Sequence, residues 1–79
     1  MRLDKFLKVS RLIKRRTVAK EMVDAGRVRV NGRPAKPGLE VSVGDVLEIG
    51  YGDNATKAEI LEIRETVKAE ESKNLYRIL

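Results

Sequence analysis

Gly26-Arg27-Val28-Arg29-Val30-Asn31-Gly32 is the stretch from which the fold can be read. Its central residues alternate charged and aliphatic side chains, the period-two pattern of a strand covered on one face only. Asn31-Gly32 is the dipeptide that best tolerates the positive φ angles of a two-residue hairpin. Gly26, on the other side, stands where a helix needs a left-handed C-terminal cap. A helix therefore ends just before this stretch, and an antiparallel hairpin begins inside it.

Toward the N-terminus the period changes to that of helices. Thr17 reads as an N-cap, and Val18, Ala19, Met22 and Val23 form the apolar stripe of the helix that Gly26 closes. Further back, Leu3, Phe6 and Leu7 share one side of a first helix, with Arg2, Lys5 and Lys8 on the other. Asp4 suits the positive end of that helix and is spaced to reach Lys8. Ser10 to Arg16 is a basic connection anchored by Leu12 and Ile13. Toward the C-terminus, Pro34 and Pro37 restrict the hairpin's return strand to a short or edge piece. Gly44-Asp45 marks a turn, Val46 to Ile49 a buried strand, and Gly50 to Asn54 another turn. Lys57 to Ile63 suits either a strand or a helical turn. Lys68 to Tyr76 suits a short helix, with Leu75, Tyr76 and Ile78 packing back onto the domain.

Charge is distributed as unevenly as secondary structure. The chain has 79 residues and a net charge of +5, but residues 1–37 hold 12 Lys/Arg against three acids, a net +9. Residues 38–79 hold five against nine, a net −4. Such a split points to an anionic partner for the first half. The chain contains neither cysteine nor histidine, so thiolate and imidazole metal ligands are absent, as is the commonest general base. Glu59, Glu62 and Glu65 recur at spacing three, which suits a wet surface better than a catalytic pair. Gly50-Tyr51-Gly52-Asp53-Asn54-Ala55 matches a dinucleotide fingerprint formally, but Asp53 would face the phosphates and too few residues follow to complete a βαβ sheet. No enzyme activity, metal or cofactor is expected. The longest apolar run is two residues, so no membrane partner is expected and a cytoplasmic location is.

The candidate binding residues are Arg2, Lys5, Lys8, Arg11, Lys14, Arg15, Arg16 and Lys20, which surround the first helix and the entry to the second. Each phosphate they neutralise releases counterions, giving salt-sensitive affinity, and arginine adds bidentate geometry. Thr17 and the free N–H groups at the second helix start suit one more phosphate. Arg27 and Arg29 extend the surface from the strand. Aromatic residues make up only 4% of the chain, and Phe6 reads as core, which favours folded RNA over stacked single strands.

Arg2-Leu3-Asp4-Lys5-Phe6-Leu7, Arg15-Arg16-Thr17, the quoted stretch, Lys36-Pro37 and Gly44-Asp45 together resemble the RNA-binding domain named after ribosomal small-subunit protein four. The likeness covers about residues 1–50 and implies the α+β alpha-L RNA-binding fold. Two N-terminal helices would pack on a small bent antiparallel sheet over residues 1–65, with residues 66–79 a short helical tail. Within that family the chain is similar to small stand-alone factors of ribosome-associated quality control, and to the fifteen-kilodalton heat-shock RNA-binding relatives. This implies rRNA of an obstructed large ribosomal subunit and tRNA as partners, support for an RqcH-type alanine-tailing factor, and a monomer off the ribosome. The alternatives are an RNA-targeting subunit of an rRNA- or tRNA-modifying enzyme and a heat-shock-type large-subunit recycling factor.

Overall fold

The computed structural model describes all 79 residues. Helix α1 spans Leu3–Val9 and helix α2 Arg16–Asp24. Strands β1 (Val28–Val30), β2 (Arg33–Pro34), β3 (Val46–Ile49), β4 (Thr56–Ile60) and β5 (Tyr76–Ile78) form one antiparallel sheet in the order β2-β1-β3-β4-β5. The α+β class and the two-helix, small-sheet architecture expected from the sequence are both present.

The punctuation around β1 behaves as its residue types dictate. α2 ends in a Schellman motif: Gly26 takes φ +77°, its amide donates to the Val23 carbonyl, and the Arg27 amide donates to that of Met22. Asn31 and Gly32 take φ +53° and +80°, the two positive angles of a type I′ hairpin. Asn31 does more than turn the chain. Its side-chain amide donates to Asp45 at 3.1 Å and accepts from the Val46 amide at 2.9 Å, tying the hairpin to the start of β3. Pro34 confines β2 to two residues at the sheet edge.

Val28, Val30, Leu47, Ala58 and Ile60 lie on the buried face of the sheet. Leu3, Phe6 and Leu7 of α1 and Ala19 and Val23 of α2 cover that face, and Leu75 closes it. Ile13, 8% exposed, anchors the link between the helices as expected, and Leu12 packs beside it. α1 needs no side-chain cap, because the loop at 37–39 accepts its first amides: Leu3 donates to the Leu39 carbonyl and Asp4 to that of Pro37.

Several expectations are corrected. α2 starts one residue before Thr17: Arg15 is the N-cap, in extended conformation, its carbonyl accepting the Ala19 amide, so Thr17 lies inside the first turn and caps nothing. Val18 is 39% exposed rather than part of the apolar stripe, because the buried stripe of α2 runs through Ala19 and Val23. The ambiguous Lys57–Ile63 stretch is strand only as far as Ile60, within β4, whose inward residues are Ala58 and Ile60; residues 61–63 lie outside any element. The predicted helix at Lys68–Tyr76 is a 3-10 helix over Ala69–Leu75, and a fifth strand that the sequence reading lacked follows it. Ile78, in that strand, is 57% exposed and does not pack back.

Candidate nucleic-acid interface

The centre of the basic half is organised by one acid. Asp4 is 3% exposed, and its carboxylate accepts four hydrogen bonds. The Arg2 guanidinium donates to both oxygens at 3.2 Å, the Lys5 amide to Oδ1 at 2.8 Å, and Arg16 to Oδ1 at 3.4 Å. Burial alone pushes the Asp4 carboxyl up. The Arg16 hydrogen bond, the Lys5 amide and the two guanidinium charges outweigh it and hold the carboxyl below its ordinary range. Asp4 therefore stays ionised, and it pairs with Arg2 and Arg16 rather than with Lys8 as expected. The burial is one-sided: the Arg2 and Arg16 side chains remain 50% and 47% exposed while the carboxylate between them is 4%. Two guanidiniums from separate elements are thus fixed side by side, each with half its surface toward solvent.

The start of α2 adjoins this pair. Its N-cap is Arg15, which makes no side-chain cap bond, and no acid lies in the first turn. The Arg16, Thr17 and Val18 amides have no acceptor in the protein, and the positive end of the helix dipole meets two further positive charges. The sequence spends stability there in a way that an incoming anion reverses. Lys20 follows Arg16 by one helical turn and is exposed.

The link between the helices carries the remaining cations. Arg11 takes φ +62°, the left-handed region that favours glycine, and its amide donates to the Lys8 carbonyl. Ser10 is buried; its hydroxyl donates to the Leu7 carbonyl and accepts from the Leu12 amide. Lys8, Arg11 and Lys14 line one shallow cleft with Glu65, Thr66 and Val67. Lys5 is different from its neighbours: it is paired with Glu65, and that bond holds the Glu65 carboxyl below its usual range.

Arg2, Arg15, Arg16, Thr17 and Lys20 therefore gather around the start of α2, and Lys8, Arg11 and Lys14 around the turn that follows α1. Arg27 lies past the far end of α2, beside Tyr51. Arg29 is not brought to the helical face. Val28 and Val30 point into the core, so Arg29 projects from the opposite side of the sheet, level with Glu48 of β3. The sequence reading missed the anchoring role of Asp4, whose partner Arg16 is 12 residues away and off any helical spacing. No cluster of metal-ligating side chains is present, and no helix is long and apolar enough to cross a membrane.

The family model of the S4 domain matches residues 1–47. A "RQC P-site tRNA stabilizing factor" from Bacillus subtilis is 52% identical over 79 residues, which is 100% of this chain and 92% of that protein. One from Halalkalibacterium halodurans is 55% identical over 78 residues, 99% of this chain and 89% of that one. Among solved structures, trimeric heat shock protein 15 from Vibrio cholerae superposes with a TM-score of 0.90 at 35% identity, covering 100% of this chain and 81% of that one.

Proposed function

Since the chain belongs to the S4 domain family, we propose that it is a non-enzymatic RNA-binding factor of ribosome-associated quality control. The observation that carries this reading is the Arg2–Asp4–Arg16 cluster beside the uncapped start of α2. A buried carboxylate fixes two half-exposed guanidiniums, and three free amides lie next to them, an arrangement suited to backbone phosphates of folded RNA. The contact residues in this reading are Arg2, Lys5, Lys8, Arg11, Lys14, Arg15, Arg16, Thr17 and Lys20, with Arg27 and Arg29 on separate flanks.

In the finer reading, the relatives' names support the tRNA-stabilising role, and the rest follows from the family resemblance of the sequence. The protein binds a large ribosomal subunit obstructed by peptidyl-tRNA, touching both rRNA and tRNA, in the cytoplasm. It holds the tRNA so that an RqcH-type factor can add alanine tails to the stalled chain. Off the ribosome it is a monomer. Because phosphates are read through fixed charges, nothing in this role requires a catalytic group.

The test is co-sedimentation of Arg2→Ala and Arg16→Ala with peptidyl-tRNA-bearing large subunits, with circular dichroism confirming that both fold. Both variants are expected to lose binding. Retention of full binding by both at about 200 mM salt, where phosphate contacts are already weakened, refutes the reading. Loss of an rRNA modification with normal alanine tails in a deletion strain would instead assign the protein to a modifying enzyme.

A further inference from the structure

On the sheet face turned away from the helices, three charged side chains, Arg29, Glu48 and Lys57, have no partner in the protein. Arg29 of β1 and Glu48 of β3 stand opposite each other across the strands, yet neither enters any of the protein's ion pairs. Opposite charges in such a register ordinarily attract one another. Glu48 also stands opposite Lys57 of β4, and its carboxylate oxygens are not sealed from solvent, so Arg29 and Glu48 both remain open to an incoming ligand.

The two flank an open cleft of about 360 Å³, floored by Gly26, Gly50 and Gly52 and walled by Tyr51. Gly50 takes φ +113°, and a Cβ there would stand 3.3 Å from the Ala55 Cα, so this part of the floor requires a residue without a side chain. Tyr51 is 58% exposed, and Arg27 packs against its ring. The Arg27 guanidinium lies 5.1 Å from the ring centroid, and its Nε donates to the Tyr51 hydroxyl at 3.1 Å. Arg27 lines a different hollow, with Val18, Met22 and Ala25, so the ring stands between Arg27 and the glycine-floored cleft.

The geometry points to a subsite for one unpaired guanine nucleotide of the bound RNA, its base stacked on Tyr51, its Watson–Crick edge on Glu48 and its phosphate on Arg29. The volume lies within the range of small-ligand sites. An exposed aromatic face oriented by Arg27 suits a base pulled out of its stack. An ionised carboxylate only accepts hydrogen bonds, and guanine presents two adjacent donors, N1–H and N2–H, to match its two oxygens. Adenine, cytosine and uracil do not offer that pair. Arg29 supplies a free fork for phosphate oxygens. This inference rests on the RNA-binding reading above but uses the opposite side of the sheet from Asp4, so the two can fail separately.

The test is an amide NMR titration of the full chain with guanosine 5′-monophosphate, set against the adenosine, cytidine and uridine monophosphates. Guanosine monophosphate is expected to shift the Gly50 and Gly52 amides at about tenfold lower concentration than the others, the effect of about 1.4 kcal/mol. Tyr51→Leu is expected to abolish those shifts. Glu48→Gln is expected to erase the preference for guanine while leaving weaker binding. Equal shifts from all four nucleotides, no shift at Gly50 and Gly52, or a preference that survives Glu48→Gln overturns the inference. Guanine-selective shifts in a protein that does not bind large subunits would instead overturn the ribosomal reading and leave the subsite standing.

Discussion

Replacing Asp4 with asparagine keeps the shape of the Arg2–Asp4–Arg16 cluster and removes its charge. The side-chain oxygen can still accept the Lys5 amide, but the new NH₂ group turns a donor toward guanidinium donors. Removing one partner of a fully buried ion pair costs about 3–5 kcal/mol. Here the carboxylate is 4% exposed but its partners are 50% and 47% exposed, so water screens and partly replaces what is lost. Hydrogen bonds to a charged group contribute about 1.5–3 kcal/mol, which puts the expected loss near 2 kcal/mol. In a domain of this size that lowers the melting temperature by about 8–16 °C. The Asp4 carboxyl is held below its ordinary range in the folded protein, so its contribution is fully present above the unfolded-state value and is lost as pH falls through the folded one. Thermal melts of wild type and Asp4→Asn should therefore differ at pH 7 and converge at strongly acidic pH. RNA affinity gives a second readout of opposite sign to simple charge. The substitution raises net charge by one, which on its own strengthens binding to any polyanion, whereas misplacing Arg2 and Arg16 weakens it. Binding to large subunits should fall. Equal melting temperatures at pH 7, or tighter RNA binding, would show that Asp4 does not organise the site.

Other substitutions probe single features. Arg11→Gly relieves the left-handed backbone at φ +62° and should raise stability by about 0.5–1 kcal/mol in urea unfolding, while reducing the salt slope of RNA binding by about one. Gly26→Ala meets nothing within 4 Å, so its effect is backbone strain alone at φ +77°; a loss of about 1 kcal/mol by the same assay is expected. Glu65→Gln releases Lys5 from its exposed pair and should leave the melting temperature unchanged while steepening the salt dependence of RNA binding.

The parts of the fold legible in the sequence were those fixed by short-range chemistry. Gly26, Asn31 and Gly32 announce their backbone angles by residue type, and the alternation through Val28 and Val30 announces the buried face of β1. What stayed hidden depends on residues brought together only by folding. Arg15 rather than Thr17 ends the extended link, because the helix begins where the core needs Ala19 and Val23 turned inward. β5 forms because β4 offers an unpaired edge to Tyr76–Ile78, something three residues cannot signal alone. The cations of the candidate site were visible as a run, but not their sorting. Lys5 is engaged by Glu65, Arg29 faces away from the helices, and Asp4 binds two arginines rather than one lysine. The cleft beside Tyr51 is built partly from the Gly50–Ala55 segment set aside as a false dinucleotide fingerprint, and the unpaired Glu48 that joins it there carries no motif of its own.

Leu75, 1% exposed, belongs to the same core as Leu3, and its carbonyl accepts the Leu61 and Glu62 amides. The order of synthesis then matters. Both basic helices emerge first, with the apolar stripe that Leu75 will help cover still open to water. The core cannot close fully until Leu75 has left the polymerising machinery. Helices with such distant contacts gain little from forming early, so the domain should fold late and in one cooperative step, once Leu75 is available. A chain interrupted before residue 75 would expose its adhesive, positively charged half without the cover that makes it selective.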